Sequence, residues 1–366
     1  MHQIKILIGL GTALLLAGCA GRQPTEAPEL NPTDARALIE ASLPRNVADR
    51  AGWATDMYSA LTVLTVTPNR ENICAVVAVI EQESGFRVDP AIPGLGVIAR
   101  KEINSRAERA HVPMLLVNGV LQLKSSDGRS YGERIAAAKT EKDLSDAYED
   151  LLAAVPLGRT LFADRNPVRT RGPMQVNVAF AEQFSAVAPY PYPVKVSIED
   201  ELFTRRGGVY FGVAHLLDYR APYDQFLYRF ADFNAGQYAS RNAAFQSAVS
   251  IASGISLVTD GALLPHDGDA NNPGNTELAV RALAAKLKMS NGAIHAALAE
   301  GKTKELEATT LYQRVFALAD QKAGRQLPPA LVPHIKLGGP KIKRSLTTDW
   351  YAHRVDDRFK RCLSTR

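Results

Sequence analysis

The best candidate for acid–base chemistry in this chain is a glutamate at the end of an apolar helix pattern. From Ile73 to Ile80 the residues are apolar on nearly every face, which predicts a buried helix that ends near Gly85. Glu83 lies in its last turn, where desolvation raises the pKa of a carboxyl group and keeps it protonated near neutrality. Such an acid can protonate a leaving oxygen, and general acid catalysis contributes typically about 10²–10⁴-fold. Glu81 is a poorer candidate, because it lies two positions back on another face of the helix.

Three four-residue motifs follow one another along the chain, and Glu83 opens the first of them. They are Glu83-Ser84-Gly85-Phe86, Gly172-Pro173-Met174-Gln175 and Phe233-Asn234-Ala235-Gly236. A helical pattern between the second and the third contains Gly212-Val213-Ala214-His215-Leu216. Each motif is weak evidence alone, but their order and their placement on predicted helices make them more specific together.

In this combination the chain resembles the lytic transglycosylase branch of the lysozyme-like superfamily. The pattern of that family is ESGF, then GLMQ, then a helix with G-x-x-Y-L, then YNAG, and the resemblance covers about residues 66–250. The whole chain also resembles an uncharacterised group of bacterial lipoproteins that join such a core to a lipid-modified cysteine. The fold implied is mainly α: a lysozyme-like helical core with an insertion after the catalytic helix and a C-terminal helical extension.

The resemblance implies an enzyme that cleaves the MurNAc–GlcNAc bond of peptidoglycan glycan strands without water, metal or cofactor. Glu83 would protonate the leaving oxygen and then take a proton from the C6 hydroxyl of the same sugar, which leaves 1,6-anhydro-MurNAc ends. Two alternatives remain open. One is a hydrolytic muramidase, in which Asp89 or a carboxylate of the insertion assists, because hydrolysis normally uses two carboxylates. The other is a catalytically inactive lipoprotein that binds peptidoglycan.

The resemblance also places substrate-binding side chains around Glu83, namely Ser84, Asn166, Met174, Gln175, Phe233 and Asn234. Gln175 would hydrogen-bond the sugar or its acetamido group. Met174 and Phe233 would form the wall of the cleft, and Asn234 would brace its floor. Asn166 stands where the family often has a serine that orients the glutamate.

The chain departs from the family pattern at several points. Phe233 replaces the tyrosine whose hydroxyl reaches the catalytic glutamate, and Pro173 replaces a leucine. The 89 positions from Glu83 to Gly172 exceed the usual gap of the family, which predicts an inserted subdomain at about residues 88–165. Loss of the tyrosine hydroxyl puts the rate, the choice of substrate and the activity itself in doubt.

The N-terminus has the pattern of a targeting segment. Lys5 precedes an apolar run that is too short for a transmembrane helix and ends in Leu16-Ala17-Gly18-Cys19. This resembles the lipobox of bacterial lipoproteins, which predicts a signal peptide over 1–18 and acylation of Cys19. The alternative is an ordinary secretory signal that contains a cysteine by chance. Because Ala20 is not an aspartate, the resemblance favours the periplasmic side of the outer membrane.

The mature chain is predicted to contain a tether and two helical regions. Residues 19–33 are rich in proline and poor in large apolar side chains, which is typical of a flexible tether. A core domain is expected over 34–258 and a C-terminal helical region over 259–366. Within the insertion, Asn118-Gly119 suggests a small β-hairpin, and a single helix is expected over about 133–154.

Composition and cysteine count limit the partners. Besides Cys19, the chain contains only Cys74 and Cys362, an even remainder that suggests one disulfide in an oxidising compartment. The alternative is a buried apolar Cys74 and a free thiol at Cys362. The net charge of +5 is spread along the chain without basic clusters, which argues against nucleic acid as a partner. The seven histidines show no metal-ligand spacing.

Overall fold

The computed structural model describes residues 30–154, 166–265, 269, 271–338 and 344–365. The described chain is mainly helical, which confirms the mainly α class predicted from the sequence. Within these residues no helix is both long enough and apolar enough to cross a membrane. The expected signal peptide, Cys19 and most of the expected tether lie outside the described residues.

The helices of residues 30–154 are α1 Pro32–Ser42, α2 Arg50–Val63, α3 Arg70–Glu83, α4 Leu95–Arg109, α5 Met114–Gln122, α6 Tyr131–Ala137 and α7 Glu141–Ala154. The elements of the middle of the chain are β1 Thr170–Arg171, β2 Val176–Asn177, α8 Val178–Val187, α9 Ile198–Glu201, α10 Arg205–Leu217, α11 Phe226–Ala235 and α12 Ala239–Ser253. The last elements are α13 Asn275–Arg281, α14 Ala284–Leu287, α15 Asn291–Ala299, α16 Thr310–Ala323, β3 Lys336–Leu337, β4 Leu346–Thr347 and α17 Thr348–Ser364. Short 3₁₀ helices, Glu300–Lys302 and Lys304–Ala308, connect α15 to α16.

Helix α3 lies at the centre of the first hydrophobic core. Every side chain from Ile73 to Ile80 is buried, as the apolar pattern predicted. The helix packs against α1, α10 and the C-terminal helix α17, and the core also includes apolar residues of α2 and α11.

A second hydrophobic core lies between α12 and the helices α13 to α16. The buried Arg241 of α12 ties it together, because its guanidinium donates to the carbonyl oxygens of Gly301 at 2.8 Å and Thr303 at 2.7 Å. Helix α17 packs in the first core, not in this one. Helix α17, which belongs to the predicted C-terminal region 259–366, therefore shares its core with helices of the predicted domain 34–258.

Asparagine side chains cap the starts of two helices of the first core. By residue type Thr33 or Asp34 could cap α1, but its N-cap is Asn31, which accepts from the amides of both residues at 3.0 Å. Thr67-Pro68 has the pattern of a helix start, but Asn69 caps α3 by accepting from the amide of Asn72 at 2.8 Å. Local capping hydrogen bonds decide such boundaries within a few residues.

The insertion differs from its prediction in two respects. The expected hairpin at Asn118-Gly119 is wrong, because this dipeptide lies inside α5, whose flanking residues form a continuous apolar run rather than alternating strands. The single helix expected over 133–154 is two helices. Thr140 and Asp143 cap α7 reciprocally, with backbone-to-side-chain distances of 3.2 Å and 3.0 Å, and so break the chain between α6 and α7.

The stretch from Ser197 to Tyr219 opens on a capping-box pattern but contains two helices rather than one. Ser197 does cap α9, since its hydroxyl accepts from the amide of Asp200 at 3.0 Å. Thr204 then caps a second start, and its hydroxyl accepts from the amide of Gly207 at 3.0 Å. Two successive caps therefore divide this stretch into α9 and α10.

A disulfide between Cys74 and Cys362 joins α3 to α17, with 5.5 Å between the two Cα atoms. It links residues 288 positions apart, so it removes a large amount of conformational freedom from the unfolded chain. The pairing that the even cysteine remainder suggested is present in the structure.

We expect Cys362→Ser to lower the free energy of unfolding by about 2–5 kcal/mol, because the unfolded chain regains the freedom of that loop. Urea unfolding of the variant and of the wild-type chain, each with and without a reductant, measures the difference. The reductant should destabilise the wild-type chain and leave the variant unchanged. A wild-type curve that does not respond to reductant would contradict a stabilising disulfide.

Candidate active site

Glu83 is the last residue of α3, and the backbone turns sharply directly after it. Ser84 caps the helix, and both Gly85 and Phe86 adopt positive φ angles, of 58° and 62°. For a phenylalanine this conformation costs on the order of 1–2 kcal/mol. Packing supports it, because the Phe86 ring meets Trp53 edge to face with 5.2 Å between centroids. The turn therefore ends the buried helix at its one candidate acid.

Tyr351 of α17 makes the direct polar contact to this acid. Its hydroxyl donates to the Glu83 carboxyl oxygen Oε1 at 2.5 Å. Burial and the neighbouring carboxylate raise the pKa of Tyr351 well above its usual range, so the hydroxyl keeps its proton and acts as a donor. Such a short hydrogen bond to a carboxyl group fixes its orientation.

Burial raises the pKa of Glu83 to about 7, and the negative charge of Glu141 on α7 contributes to the rise. The hydrogen bond from Tyr351 and the positive charge of Arg358 lower the pKa in part. Glu83 is surrounded by protein atoms but keeps part of its side-chain surface open to solvent. A carboxyl group with a pKa near neutrality can both donate and accept a proton, which a general acid–base catalyst requires.

The second motif, residues 172–175, forms the four-residue loop of a small hairpin between β1 and β2. Gly172 has a φ of 74°, and a Cβ atom there would lie 2.0 Å from the carbonyl oxygen of Leu202, so this approach requires glycine. Two glycines of α10 receive the loop: added Cβ atoms would lie 2.4 Å from Pro173 at Gly208 and 2.2 Å from Met174 at Gly212. Met174 is therefore a core residue that anchors the loop to α10.

Gln175 is held at the end of this loop by three hydrogen bonds. Its side-chain oxygen accepts from the Thr170 hydroxyl at 3.0 Å, and its amide nitrogen donates to Glu141 at 3.0 Å and to the Gly172 carbonyl at 3.3 Å. Glu141 therefore interacts with both residues: it accepts a hydrogen bond from Gln175, and its charge acts on Glu83. A bound sugar would have to exchange with one of these contacts.

The third motif lies at the end of α11. Phe233 is buried, and its carbonyl oxygen accepts from Nε2 of the neutral His215 at 3.2 Å, since burial lowers the pKa of His215 to about 4. Asn234 is exposed and accepts from the Thr348 hydroxyl of α17 at 3.0 Å. The motif thus holds α11 against α10 and α17.

Two other predicted residues have their hydrogen bonds elsewhere than in the expected cleft. The Ser84 hydroxyl is buried and donates to the Ile80 carbonyl oxygen at 3.2 Å. The Asn166 amide donates to Glu149 and to Glu199, each at 3.2 Å, instead of orienting Glu83. Both side chains contribute to local structure in this arrangement.

Asp89, the alternative second carboxylate, faces the start of α7. Its partners are the Thr140 side chain and the Lys142 backbone, and burial raises its pKa. Asp89 therefore caps the start of α7. The carboxylate whose charge acts on Glu83 is Glu141 instead.

Three residues of the site were missed by sequence reasoning: Tyr351, Glu141 and Arg358. Each is far from Glu83 in the chain, and no short motif marks them. The one usable signal was the cysteine pair. Two antiparallel helices joined at Cys74 and Cys362 would place residues 9 and 11 positions away, namely Glu83 and Tyr351, at about the same height, because a helix rises about 1.5 Å per residue.

In the part of the chain that the structure describes, no cluster of three or more His, Cys, Asp or Glu side chains is arranged to hold a metal ion.

Comparison with known proteins assigns a family. Residues 46–365 match the family described as "Protein of unknown function (DUF1615)", and the chain belongs to that family. The chain is similar to "Uncharacterized protein YaiW" of Escherichia coli (strain K12), with 48% identity over 358 residues and 97% of each chain covered. No solved structure matches the chain. Neither description names an activity, so the argument for function rests on the site.

We expect Glu83→Gln to stabilise the protein increasingly as pH rises. The folded state holds the Glu83 proton up to a pKa of about 7, against 4.5 for an ordinary glutamate. The wild-type chain therefore loses stability as pH rises between these values, because the unfolded state releases this proton first. The variant lacks that loss, which amounts to at most about 3 kcal/mol. Urea unfolding of both proteins at about pH 5 and about pH 8 measures it. A stability difference that stays constant with pH would show that Glu83 titrates normally.

Proposed function

We propose that this protein is a periplasmic lytic transglycosylase that cleaves the MurNAc–GlcNAc bond of peptidoglycan. Its products would be strands with 1,6-anhydro-MurNAc ends, formed without water. The observation that carries the proposal is Glu83, a half-buried carboxyl group whose pKa is raised to about 7. A lysozyme-like arrangement of the helices around it belongs to the same proposal.

In the proposed reaction Glu83 acts twice. The protonated carboxyl group first gives its proton to the glycosidic oxygen, so that the bond from this oxygen to the muramic acid C1 breaks. The resulting carboxylate then takes the proton of the C6 hydroxyl on the same sugar, and the C6 oxygen closes on C1. An intramolecular attack of this kind benefits from a high effective molarity. The proton returns to Glu83 and no co-reactant is needed.

Tyr351 supports this cycle as a positioning residue. Its hydroxyl donates to Glu83 at 2.5 Å, and a hydrogen bond to the charged form stabilises the carboxylate that exists between the two proton transfers. In the lytic transglycosylase pattern, this hydroxyl belongs to the tyrosine of the third motif, which is Phe233 in this chain. We infer that Tyr351 supplies it from α17 instead.

The expected signal sequence and acylated Cys19 support a location on the periplasmic side of the outer membrane. A lipid anchor there would hold the protein beside the sacculus. Both the location and the anchor are part of the proposal, since the residues concerned lie outside the described chain.

A hydrolytic muramidase is the second candidate, and the position of Glu141 favours it. This carboxylate of the insertion acts electrostatically on Glu83, and a second carboxylate can activate water. However, Glu141 is buried and accepts from Gln175 at 3.0 Å. A buried carboxylate with such a contact is less available to water, which favours the transglycosylase.

Digestion of purified sacculi tests the proposal. The mature chain with Cys19→Ser should release muropeptides with anhydro ends, identified by mass spectrometry. Glu83→Gln, which keeps the shape and the hydrogen bond from Tyr351, should lower the rate by about 10²-fold or more, because the transferable proton is lost.

Glu81→Gln is the matched control for this experiment. Glu81 lies two residues earlier on α3 and pairs with Arg361 at 3.1 Å and with Arg358 at 3.5 Å. Glu81→Gln removes a partner of Arg358, whose charge lowers the pKa of Glu83, but it keeps the proton donor, so this variant should still release anhydro products. Reducing ends in place of anhydro ends would favour the muramidase. Binding to sacculi without any product would mean that the site only binds peptidoglycan.

A further inference from the structure

The insertion contains a large apolar pocket between α4, α5 and α7. Its volume is about 900 Å³, within the range of about 300–1,000 Å³ that is typical of pockets for small molecules. Its walls are aliphatic, and examples are Ile98, Ile103, Leu116, Val120, Leu144 and Leu151. Among the described residues, the aromatic rings that line it are those of Tyr131 and Tyr148. Sugars favour aromatic faces and polar partners, so this lining suits a flexible alkyl chain better.

The surface beside the pocket is also apolar. Six large apolar side chains between residues 97 and 123 are exposed: Val97, Val112, Leu115, Leu116, Val120 and Leu123. Leu115 is 82% exposed and Leu116 is 60% exposed, although both belong to α5. An exposed apolar patch of this kind marks a contact site for a membrane or a protein.

The positive charge of this region favours a membrane over a protein as the partner of the patch. Residues 95–130 contain six Lys or Arg and three Asp or Glu, a net charge of +3. Arg100 donates to Asn118 of α5 at 2.5 Å, so the basic helix α4 is tied directly to the apolar one. Arg106 and Arg169 line the pocket, and so does Glu102, which pairs with Arg106 at 2.7 Å. Apolar side chains on a helix, flanked by cations, are typical of helices that bind anionic lipid surfaces.

We propose that the insertion is a lipid-binding module, in which α5 enters the headgroup region and the pocket takes an acyl chain of an anionic phospholipid. The proposed anchor at Cys19 would bring a membrane within reach, because the chain from Cys19 to Leu30 spans at most about 40 Å. The pocket includes Glu141 and Thr170, the two side chains that hold Gln175. A bound lipid would therefore lie directly behind the candidate active site. This inference does not depend on the proposed catalysis.

Flotation with vesicles tests the surface, using the mature chain with Cys19→Ser so that no anchor contributes. We expect binding to vesicles of phosphatidylethanolamine with phosphatidylglycerol, weaker binding to phosphatidylcholine, and loss of binding at high salt. The double variant Leu115→Glu/Leu116→Glu should lower the partition coefficient by about tenfold or more, because two leucines that would enter the membrane are lost.

The matched control is Val187→Glu/Val196→Glu, which changes two equally exposed apolar residues elsewhere, at 85% and 82% exposure. It should bind vesicles as the parent chain does. Equal losses in both double variants, or no vesicle binding by the parent chain, would overturn the proposal. So would a dimer in sedimentation that Leu115→Glu/Leu116→Glu abolishes, because the patch would then join two copies of the chain.

The pocket is tested separately with fluorescently labelled phosphatidylglycerol in the absence of vesicles. Ala99 lines the pocket, and Ala99→Trp should fill the space and weaken binding of the label by about tenfold or more. Thermal unfolding and circular dichroism check that the variant remains folded. A folded Ala99→Trp variant that binds the label as tightly as the parent chain would show that the acyl chain does not enter the pocket.

Discussion

The antiparallel packing of α3 against α17 is the constraint on which the candidate site depends. The two helices are joined at one end by the Cys74–Cys362 disulfide and at the other by the hydrogen bond from Tyr351 to Glu83. Between these ends, Glu81 pairs with Arg361 at 3.1 Å. Helix α17 thus completes the first core and provides Tyr351, the hydrogen-bond partner of Glu83. Burial keeps the carboxyl group protonated up to a pH of about 7, and the hydroxyl of Tyr351 on α17 orients it.

The sequence was sufficient to predict the helical class and the buried helix α3, but not which helices pack against one another. The continuous apolar run of α3 has one structural solution, a buried helix, so its burial and the candidate acid at its end were predictable. Helix ends were less predictable, because they depend on single capping side chains such as Asn31 and Asn69. Helix α5 was mistaken for a hairpin, because a short apolar run with Asn-Gly fits both structures until its packing is known.

Some residues of the predicted site stabilise the fold, whereas others that were not predicted act directly on Glu83. Met174, Ser84 and Asn166 were predicted along the cleft, yet their contacts are those of a core residue, a helix cap and a loop anchor. Tyr351 and Glu141 act on Glu83 from more than fifty residues away in the chain, where no local pattern can reveal them. Long-range contacts of this kind follow from packing, which a motif does not encode.

The control of the Glu83 pKa by burial and by Tyr351 is tested most directly by an infrared titration of the Glu83 carboxyl group, with Glu83→Gln as the reference that removes its band. The protonated carboxyl band of the wild-type chain should disappear with a midpoint at a pH of about 7. In Tyr351→Phe the midpoint should move to higher pH, because the hydrogen bond that stabilises the carboxylate is gone. A wild-type midpoint at the 4.5 of an ordinary glutamate, or a midpoint that Tyr351→Phe leaves unchanged, would contradict it.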